Sequence, residues 1–489
     1  MIFSSVLFLF RFLPLALICY YLTPRKYKNL ILTILSLIFY SWGEGKYFLI
    51  MIVSIVVDYS AGIAIDKYKE YKKKGISILC LSLIFNLGIL FIFKYVNFFI
   101  ENINSIWNLA ISKTNITLPL GISFYTFQTM SYSIDVYKGR VSPERNIINF
   151  AAFVTLFPQL IAGPIVKYND IKNEIRYRNI DRDKVQEGIE KFILGLGSKV
   201  LIANNVGMLW TEIEKTGFYG ISTLSAYLGL IAFSLQIYFD FNGYSLMAMG
   251  IGQMFGFEFP RNFNYPYISR SISEFWRRWH ITLGSWFKEY VYIPLGGNRK
   301  GKVRTIINLF IVWILTGLWH GADFNFILWG LLFFILICIE KLGLINILNK
   351  YRIFSHIYTI FFLLIGWAVF AITDFESLKI FFGKLFIYND GTEYIYYLRN
   401  YGTSLCIGIF FSLPIASKFY LKIENMIRLK SRVNSQIKTQ IPLEEMQKSE
   451  LISTIIIQII KTVILMSLFI ISVAYLVDAT YNPFLYFRF

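Results

Sequence analysis

The sequence predicts an all-α integral membrane protein, a bundle of many membrane-spanning helices. Its 489 residues are 56% hydrophobic and only 16% charged, and the apolar runs are too long and too many for the buried helices of a soluble domain. Basic residues cluster in short loops between these runs, which is the pattern of cytoplasmic loops. The formal net charge of +18 therefore reflects membrane topology, and no nucleic-acid-binding module is evident.

The first five apolar runs alternate with loops that are poor and rich in positive charge. The run at 2–22 leads to the basic PRKYK (24–28), the second ends at GEGK (43–46), and the third reaches DKYKEYKKKG (66–75). The fifth returns to the basic KGRVSPER at 138–145. Loops rich in Lys and Arg stay in the cytoplasm, so the N-terminus is predicted to lie outside. The first run lacks a charged start and a cleavage site and is interpreted as a retained span.

The stretch at 147–165 predicts a re-entrant or broken helix. It lies between two basic segments, and Pro158, Gly163 and Pro164 interrupt its second half. The unpaired backbone groups of such a break must be buried in protein.

Two ordinary spans are predicted at 191–210 and 223–241, and an unusual region follows at 239–304. This region mixes Pro, Gly, Asn, Arg and aromatic residues at a density that no lipid-facing helix tolerates. We therefore predict short, tilted or re-entrant helices on the cytoplasmic side, packed into the protein.

The C-terminal part predicts a helical pair and three further spans. A run containing His320 and a run at 324–339 form the pair, and spans follow at 356–373 and 402–417. The loop at 418–450 is basic and is predicted to be cytoplasmic. The last span (451–477) then delivers the tail (478–489) to the outside.

Two of the three histidines are candidates for chemistry. His280 lies in RRWHIT and His320 in GLWHGAD, both crowded with aromatic side chains. An ionisable residue at membrane depth is expensive, so it is a functional hypothesis by default. A helix-packing hydrogen bond is the structural alternative for His320. His356 stands at the start of a span beside a basic loop, where an interfacial polar residue is expected.

The residue types around His320 favour acyl transfer. Asp323 alone does not complete a metal site, and the four cysteines lie inside apolar runs without metal-ligand spacing. The hydrolase motif G-x-S-x-G is absent. A histidine that takes a proton from a hydroxyl beside a held acyl group suffices for acyl transfer, and such general-base help is typically worth about 10² to 10⁴ in rate. Asp323 either orients the imidazole or caps a helix turn.

Four further motifs run in order through the chain. They are FYTFQTMSYSIDVYKG (124–139), FPQLIAGPI (157–165), the stretch from IYFDFNGYSLMAMG to VYIPLGG (237–297), and LTGLWHGADFNFILWG (315–330). Together they resemble the membrane-bound O-acyltransferase family, in the bacterial branch that contains alginate O-acetyltransferase and the D-alanyl transferase of teichoic acids. The resemblance implies a multi-span helical bundle with a thinned centre. The chain is then one polytopic membrane domain (1–489), with a family core at 40–335, additional spans at 336–477 and an extracytoplasmic aromatic tail at 478–489.

The resemblance also implies where the chemistry takes place. An outer funnel and a cytoplasmic donor pocket are expected to meet at His320, the catalytic histidine, with His280 as the second polar group of the tunnel. The donor is expected to be acetyl-coenzyme A, a substrate, and neither a bound cofactor nor a metal is expected. Tunnel-lining or orienting candidates are Asp323, Trp319, Trp276, Trp279 and Asp240. Some basic residues could bind the anionic coenzyme, although the positive charge of cytoplasmic loops alone would also account for them. They are Arg277, Arg278, Lys288, Arg299, Lys300 and Lys302.

Two positions depart from the family pattern. The usual DFSGYSDMAIG is DFNGYSLMAMG here, so Asn242 and Leu246 replace a serine and an acid, while Asp240 is kept. A role for the second acid is therefore not carried over. At position 323 the alginate branch often has Asn or Gly, which weakens a general role for Asp323.

The tail NPFLYFRF (482–489) resembles the aromatic C-terminus of alginate-type members and of a small single-span protein that accompanies the D-alanyl transferase. In that protein a tyrosine has been proposed to take the acyl group. The resemblance implies that Tyr486 accepts the acyl group transiently or docks at the outer funnel. An aromatic anchor at the membrane surface is the structural alternative.

The predicted function is that of an acetyltransferase of the bacterial cell membrane, which moves an acetyl group from cytoplasmic acetyl-coenzyme A toward an extracytoplasmic polysaccharide. The resemblance implies a partner, an extracytoplasmic SGNH-type transferase or esterase-like protein; the other partners are the polymer and membrane lipids, with no nucleic acid. One alternative is D-alanyl transfer from a carrier-protein thioester. The other is a polysaccharide or lipid transporter without chemistry, against which the single broken region argues.

Overall fold

The fold is helical throughout the part of the chain that the structure describes. The computed structural model describes residues 1–161, 163–419, 422, 443–478, 481–483 and 485, and no strand occurs among them. Within these residues, eight helices are long and apolar enough to cross a membrane. The predicted all-α membrane architecture is confirmed.

The N-terminal helices follow the predicted runs. Their bounds are α1 (Leu13–Leu22, after a π turn at Phe8–Phe12), α2 (Lys28–Glu44), α3 (Phe48–Lys67), α4 (Lys72–Lys94), α5 (Val96–Trp107) and α6 (Ile122–Tyr137). All but two residues of α6 are buried. The predicted fifth span is therefore an internal helix, which explains how it carries Thr126, Gln128 and Ser131 without exposing them to lipid.

The predicted broken helix is present. It consists of α7 (Ile147–Thr155) and α8 (Phe157–Leu160), separated at Leu156, and α9 (Tyr168–Arg176) follows. Phe157 N–H donates to Ser36 Oγ (3.1 Å), and Ile165 N–H donates to Thr282 Oγ1 (3.0 Å). Side chains from distant helices thus satisfy backbone groups that the break sets free.

The next helices correct one predicted boundary. They are α10 (Arg182–Gly197), a π turn at Ser198–Ala203, α11 (Asn204–Lys215) and α12 (Thr223–Met254). The predicted end of the span near 241 is wrong, because α12 continues to Met254. A Cβ on Gly243 would lie 2.7 Å from Gly195 O, and one on Gly250 would lie 2.4 Å from Gly188 O. We call these four glycines the glycine seam. They allow the backbones of α10 and α12 to come into contact, and those of α12 do not interrupt that helix.

Short helices then lead into the predicted pair. They are α13 (Ile272–Arg278) and α14 (Ile281–Phe287), followed by α15 (Lys302–His320) and α16 (Phe324–Ile339). The prediction of short helices is confirmed for the segment after α12. The pair packs tightly, since a Cβ on Gly317 would lie 2.3 Å from Phe326 O. This contact holds the end of α15, where His320 lies, against α16.

The remaining helices are α17 (Ile345–Lys350), α18 (Arg352–Ala371), α19 (Phe375–Phe386), α20 (Glu393–Ser412) and the C-terminal helix (Leu443–Asp478). The predicted span at 402–417 begins and ends earlier, as α20, and α19 has no counterpart among the predicted spans. Asn482 Nδ2 donates to Ser4 O (2.7 Å), so the first residues of the chain contact the segment that follows the C-terminal helix. That both termini lie on the same side of the membrane, and which side this is, stay predictions.

The hydrophobic core consists of two clusters. The first is built mainly from the N-terminal helices and includes Trp319, and the second is built mainly from α11 to α20 and includes Trp279 and Trp329. Both predicted histidines contact members of both clusters. The candidate site therefore lies at the junction of the two.

Candidate active site

His320 is the last residue of α15 and lies in an aromatic cage. The rings of Trp319, Trp329 and Phe370 stand edge-on to its imidazole, with centroids 5.0, 5.0 and 5.2 Å away. Part of its surface remains accessible although it lies deep in the bundle. Among the described residues, none hydrogen-bonds to its ring. The cage thus fixes the plane of the imidazole and leaves its nitrogens available to a substrate.

His280 is held by a side chain that the sequence did not single out. Its Nδ1 lies 3.1 Å from Asn262 Oδ1. The same oxygen accepts hydrogen bonds from Thr282 N–H (3.3 Å) and Thr282 Oγ1 (2.9 Å). A backbone N–H can only donate, so the Asn262 atom that faces it is the carbonyl oxygen, and Nδ1 of His280 must carry a proton.

This tautomer makes Nε2 of His280 a proton acceptor. The side chain is 2% exposed, and Nε2 has no partner within the part of the chain that the structure describes. Burial lowers the pKa of His280 to about 3, so the imidazole is neutral at physiological pH. The residue also has φ +44°, in the left-handed region that non-glycine residues rarely occupy and that clusters at functional sites.

One tryptophan joins the two histidines. The ring of Trp319 lies 5.8 Å from that of His280 and 5.0 Å from that of His320. Two motifs that are distant in sequence therefore meet at one place, as predicted. Their catalytic roles stay predictions.

A cavity of about 430 Å³ lies beside His280. Trp276 and Trp279 line it, and so do the exposed side chains of Arg277 and Lys288. This volume is in the usual range for small-molecule sites. The cavity thus places two predicted tunnel residues and two predicted donor-binding cations around one of the histidines.

The other four cations of the donor prediction do not line this cavity; they are Arg278, Arg299, Lys300 and Lys302. Arg278 is committed to Glu274 (Nε to Oε1, 2.9 Å) and to Asn264 O (3.1 Å). Burial opposes ionisation of Glu274, but hydrogen bonds from Arg270 N–H and Arg278 hold its pKa below the usual range. Arg299 lies in the turn before α15 and does not line this cavity. The structure therefore favours Arg277 and Lys288 over Arg278 and Arg299.

The two acids among the orienting candidates contact neither histidine. Asp323 accepts the N–H of Phe324 (2.7 Å) and caps α16, so the capping alternative describes its position. Asp240 pairs with Lys199. An orienting role for either acid at the imidazoles is not supported by these contacts. Tyr486, the candidate acyl relay, lies outside the described residues.

Lys94 is a site residue that sequence reasoning missed. Its Nζ donates to the carbonyl oxygens of Trp319 and His320 (3.1 Å to the latter), and Tyr95 Oη donates to Leu318 O (2.6 Å). The last carbonyls of a helix lack intrahelical partners and carry partial negative charge. Lys94 therefore anchors the end of α15. In the sequence, Lys94 is only a lysine at the end of an apolar run, and lysines at the ends of membrane spans are common.

Glu340 is a second missed residue. It is 1% exposed and accepts the N–H groups of Ile272 (2.6 Å) and Ser273 (2.9 Å). These are first-turn donors of α13, the helix that leads to His280. A carboxylate from the end of α16 thus satisfies the unpaired donors and fixes the start of that helix.

We expect Lys94→Met to slow the predicted acyl transfer about tenfold or more, because a displacement of about 1 Å in a reacting group can cost up to 10²-fold. The measurement is the rate of thioester consumption together with the melting temperature. Lys113→Met is the matched control, since Lys113 forms an exposed ion pair with Glu101 that contributes little. Equal rates for the two variants would show that Lys94 does not position His320.

Comparisons with known proteins agree on this region. The model of the MBOAT, membrane-bound O-acyltransferase family, matches residues 141–374, which include both histidines and the cavity. The chain is 41% identical over 395 residues to the probable alginate O-acetylase AlgI of Pseudomonas syringae pv. tomato, covering 80% of this chain and 76% of that one. It is 35% identical over 417 residues to the peptidoglycan O-acetyltransferase of Helicobacter pylori (77% and 78% covered). The teichoic acid D-alanyltransferase of Bacillus subtilis is 28% identical over 227 residues (44% and 57% covered).

Proposed function

Because the chain belongs to the membrane-bound O-acyltransferase family, we propose that it moves an acetyl group from cytoplasmic acetyl-coenzyme A across the membrane toward an extracytoplasmic polysaccharide. The chain is an O-acyltransferase, so the transporter alternative is set aside. The named acetyltransferases match far more of the chain than the named D-alanyltransferase does. This difference favours acetyl over D-alanyl transfer.

One observation carries the proposal: two imidazoles share Trp319 beside a cavity with cations at its exposed rim. In the proposed step, an acceptor hydroxyl oxygen attacks the thioester carbonyl carbon. The C–O bond forms, the C–S bond breaks, and His320 takes the hydroxyl proton. That proton then passes to the coenzyme A thiolate. His280 lines the cavity and its Nε2 has no partner among the described residues, so it would take this proton from His320 and pass it to the thiolate.

The cavity suits the donor that we propose. Arg277 and Lys288 are exposed cations that line it, and guanidinium and ammonium groups bind phosphates through charge-assisted hydrogen bonds. Trp276 and Trp279 form an apolar wall for the acyl-bearing arm. Arg277→Gln and Lys288→Gln would accordingly weaken donor binding more than they slow turnover at saturation.

We expect the purified protein to release coenzyme A from radiolabelled acetyl-coenzyme A and to transfer the label to an acceptor. A D-alanyl thioester of a carrier protein, offered in parallel, is expected to give no transfer. Transfer from the carrier protein together with inert acetyl-coenzyme A would replace this proposal with D-alanylation. Turnover retained after Arg277→Gln and Lys288→Gln at limiting donor would place the donor outside the cavity.

We further propose that Tyr486 carries the acetyl group between the two sides. Its phenolic oxygen would attack the thioester carbonyl carbon, the C–S bond would break, and the phenolic proton would pass by way of His320 to the coenzyme A thiolate. A hydroxyl outside would then attack the aryl ester, and its proton would pass to the departing phenolate of Tyr486. We expect mass spectrometry of the C-terminal peptide after incubation with donor to show one added acetyl group, absent in Tyr486→Phe. Tyr475→Phe is the control, since Tyr475 is an exposed tyrosine of the C-terminal helix. An unmodified peptide with full activity in Tyr486→Phe would exclude the relay.

The proposed setting is the bacterial cytoplasmic membrane, with both termini extracytoplasmic. An SGNH-type transferase or esterase-like protein outside would take the acetyl group and modify the polymer. Exopolysaccharide and peptidoglycan are the two acceptor classes to test, since the printed names of the relatives refer to alginate and to peptidoglycan.

A further inference from the structure

A charged pair is buried inside the membrane domain and forms no hydrogen bond with either histidine. Lys199 lies in the π turn after α10 and Asp240 lies in α12; their side chains are 0% and 5% exposed and form an ion pair. Removing two charges from water costs several kcal/mol per ion, and their mutual attraction often only balances this cost. Charged residues at such depth are usually functional.

Helix packing does not require this pair. The glycine seam already brings α10 and α12 into backbone contact, with a Cβ on Gly195 meeting Gly243 O at 2.5 Å. Close backbone approach through small residues is the common means of helix association in membranes. The buried charges therefore serve something other than holding the two helices together.

Both charges also bind the backbone of the C-terminal tail. Lys199 Nζ donates to Pro483 O (2.6 Å), and Asp240 Oδ2 accepts the N–H of Leu485 (2.8 Å). Leu485 itself is 4% exposed and belongs to the second hydrophobic cluster. The pair therefore satisfies an acceptor and a donor that the tail brings into the protein interior, where unpaired backbone groups are costly.

Polar contacts continue along the tail toward its start. Asn204 Nδ2 lies 3.2 Å from Asn482 Oδ1, and the hydroxyls of Tyr481 and Thr211 are 2.9 Å apart. The tail thus follows a path of polar groups on α11 that ends at the ion pair.

We propose that Lys199 and Asp240 form an internal docking site for the C-terminal tail of this chain and hold it beside the catalytic centre. Asp240 and Phe241 are consecutive residues of α12, and the ring of Phe241 lies edge-on to that of His280 at 4.7 Å. The residue that binds the tail is thus next in sequence to a residue that contacts His280. Lys199 and Asp240 are positioning residues, which act through the tail. The docking does not depend on whether Tyr486 carries an acetyl group.

A cysteine reporter in the full-length protein tests the docking. Leu485→Cys is introduced after the native free cysteines are replaced by alanine; these are Cys19, Cys80, Cys338 and Cys406. We expect slow labelling by a hydrophilic maleimide in this parent. Labelling should be at least about tenfold faster after Lys199→Met/Asp240→Leu, which removes both charges together, because the tail then opens locally.

Two further measurements separate docking from general loosening. Asp58→Asn is the control, since Asp58 is an equally buried carboxylate of α3 that accepts from Ser82 Oγ (2.6 Å) and does not contact the described tail residues; it should leave labelling slow. A short bis-maleimide should cross-link a second reporter, Asn204→Cys/Asn482→Cys, in the parent and not in the double variant. Fast labelling in the parent, or unchanged labelling and cross-linking in a folded double variant, would overturn the docking site. Neither readout needs enzyme activity, so failure of the proposed acetyl transfer would be seen separately.

Discussion

His320→Gln is expected to lower acyl transfer by about 10² to 10⁴-fold, the usual contribution of a general base. Glutamine is close to histidine in size and polarity but cannot take a proton from an attacking hydroxyl. Because no described residue hydrogen-bonds to the His320 ring, the exchange leaves no described partner unsatisfied. The melting temperature should therefore stay near that of the parent. The measurement is the initial rate of acetyl transfer from labelled acetyl-coenzyme A in proteoliposomes.

The matched control is His356→Gln, in the one histidine that lies away from the site. His356 is in the first turn of α18 and does not line the cavity beside His280. Its exchange should leave both rate and stability unchanged. Parental transfer by a folded His320→Gln protein would remove His320 from the mechanism and leave His280 as the base.

A loss of similar size is expected at His280, where the neutral imidazole has one tautomer set by Asn262. His280→Asn is the informative exchange, since asparagine tolerates the left-handed backbone that this position requires (φ +44°). It therefore removes the imidazole without adding backbone strain. We expect transfer to fall by about 10²-fold or more, with donor binding weakened as well because His280 lines the cavity.

Asn262 is expected to act through His280 and not on the substrate. Asn262→Leu removes the acceptor for Nδ1–H, so the His280 imidazole is no longer held in one tautomer. The maximal rate should therefore fall while the Michaelis constant for the donor changes little. Asn262→Asp keeps an oxygen acceptor at the same place and should recover part of the loss. A fall in donor binding with an unchanged maximal rate in Asn262→Leu would instead place Asn262 in the donor pocket.

The site residues that could be predicted are those whose residue type is unusual in an apolar segment. A histidine in an apolar run is conspicuous because the cost of burying it is high, and aromatic residues around it mark the motif. Lys94, Asn262 and Glu340 were missed because each of them bonds mainly to atoms that are remote in sequence; Lys94 reaches carbonyl oxygens 225 and 226 residues away. No local pattern announces such a partner.

The C-terminal boundary of α12 was also mispredicted because a contact with a segment remote in sequence could not be foreseen. Gly243 and Gly250 lie in the region 239–304, where a high content of glycine and other residues led to the prediction of short helices; glycine is a poor helix former. In the structure they face α10, where contact between the helices outweighs the loss in propensity. Asp323 illustrates the converse, because its partner is the next residue and the capping role could be named in advance.

The sequence alone sufficed to predict a helical membrane protein, the positions of most of its apolar helices, and the two histidines that are candidates for chemistry. Those properties depend on the free-energy cost of placing polar groups in lipid, and this cost is set by the composition of each segment separately. The folded bundle was needed to show that His280 and His320 share Trp319, that Asn262 sets a tautomer, and that Asp240 binds the tail instead of a histidine. Those properties depend on hydrogen bonds between segments remote in sequence, and such bonds exist only when the bundle has brought their donors and acceptors together.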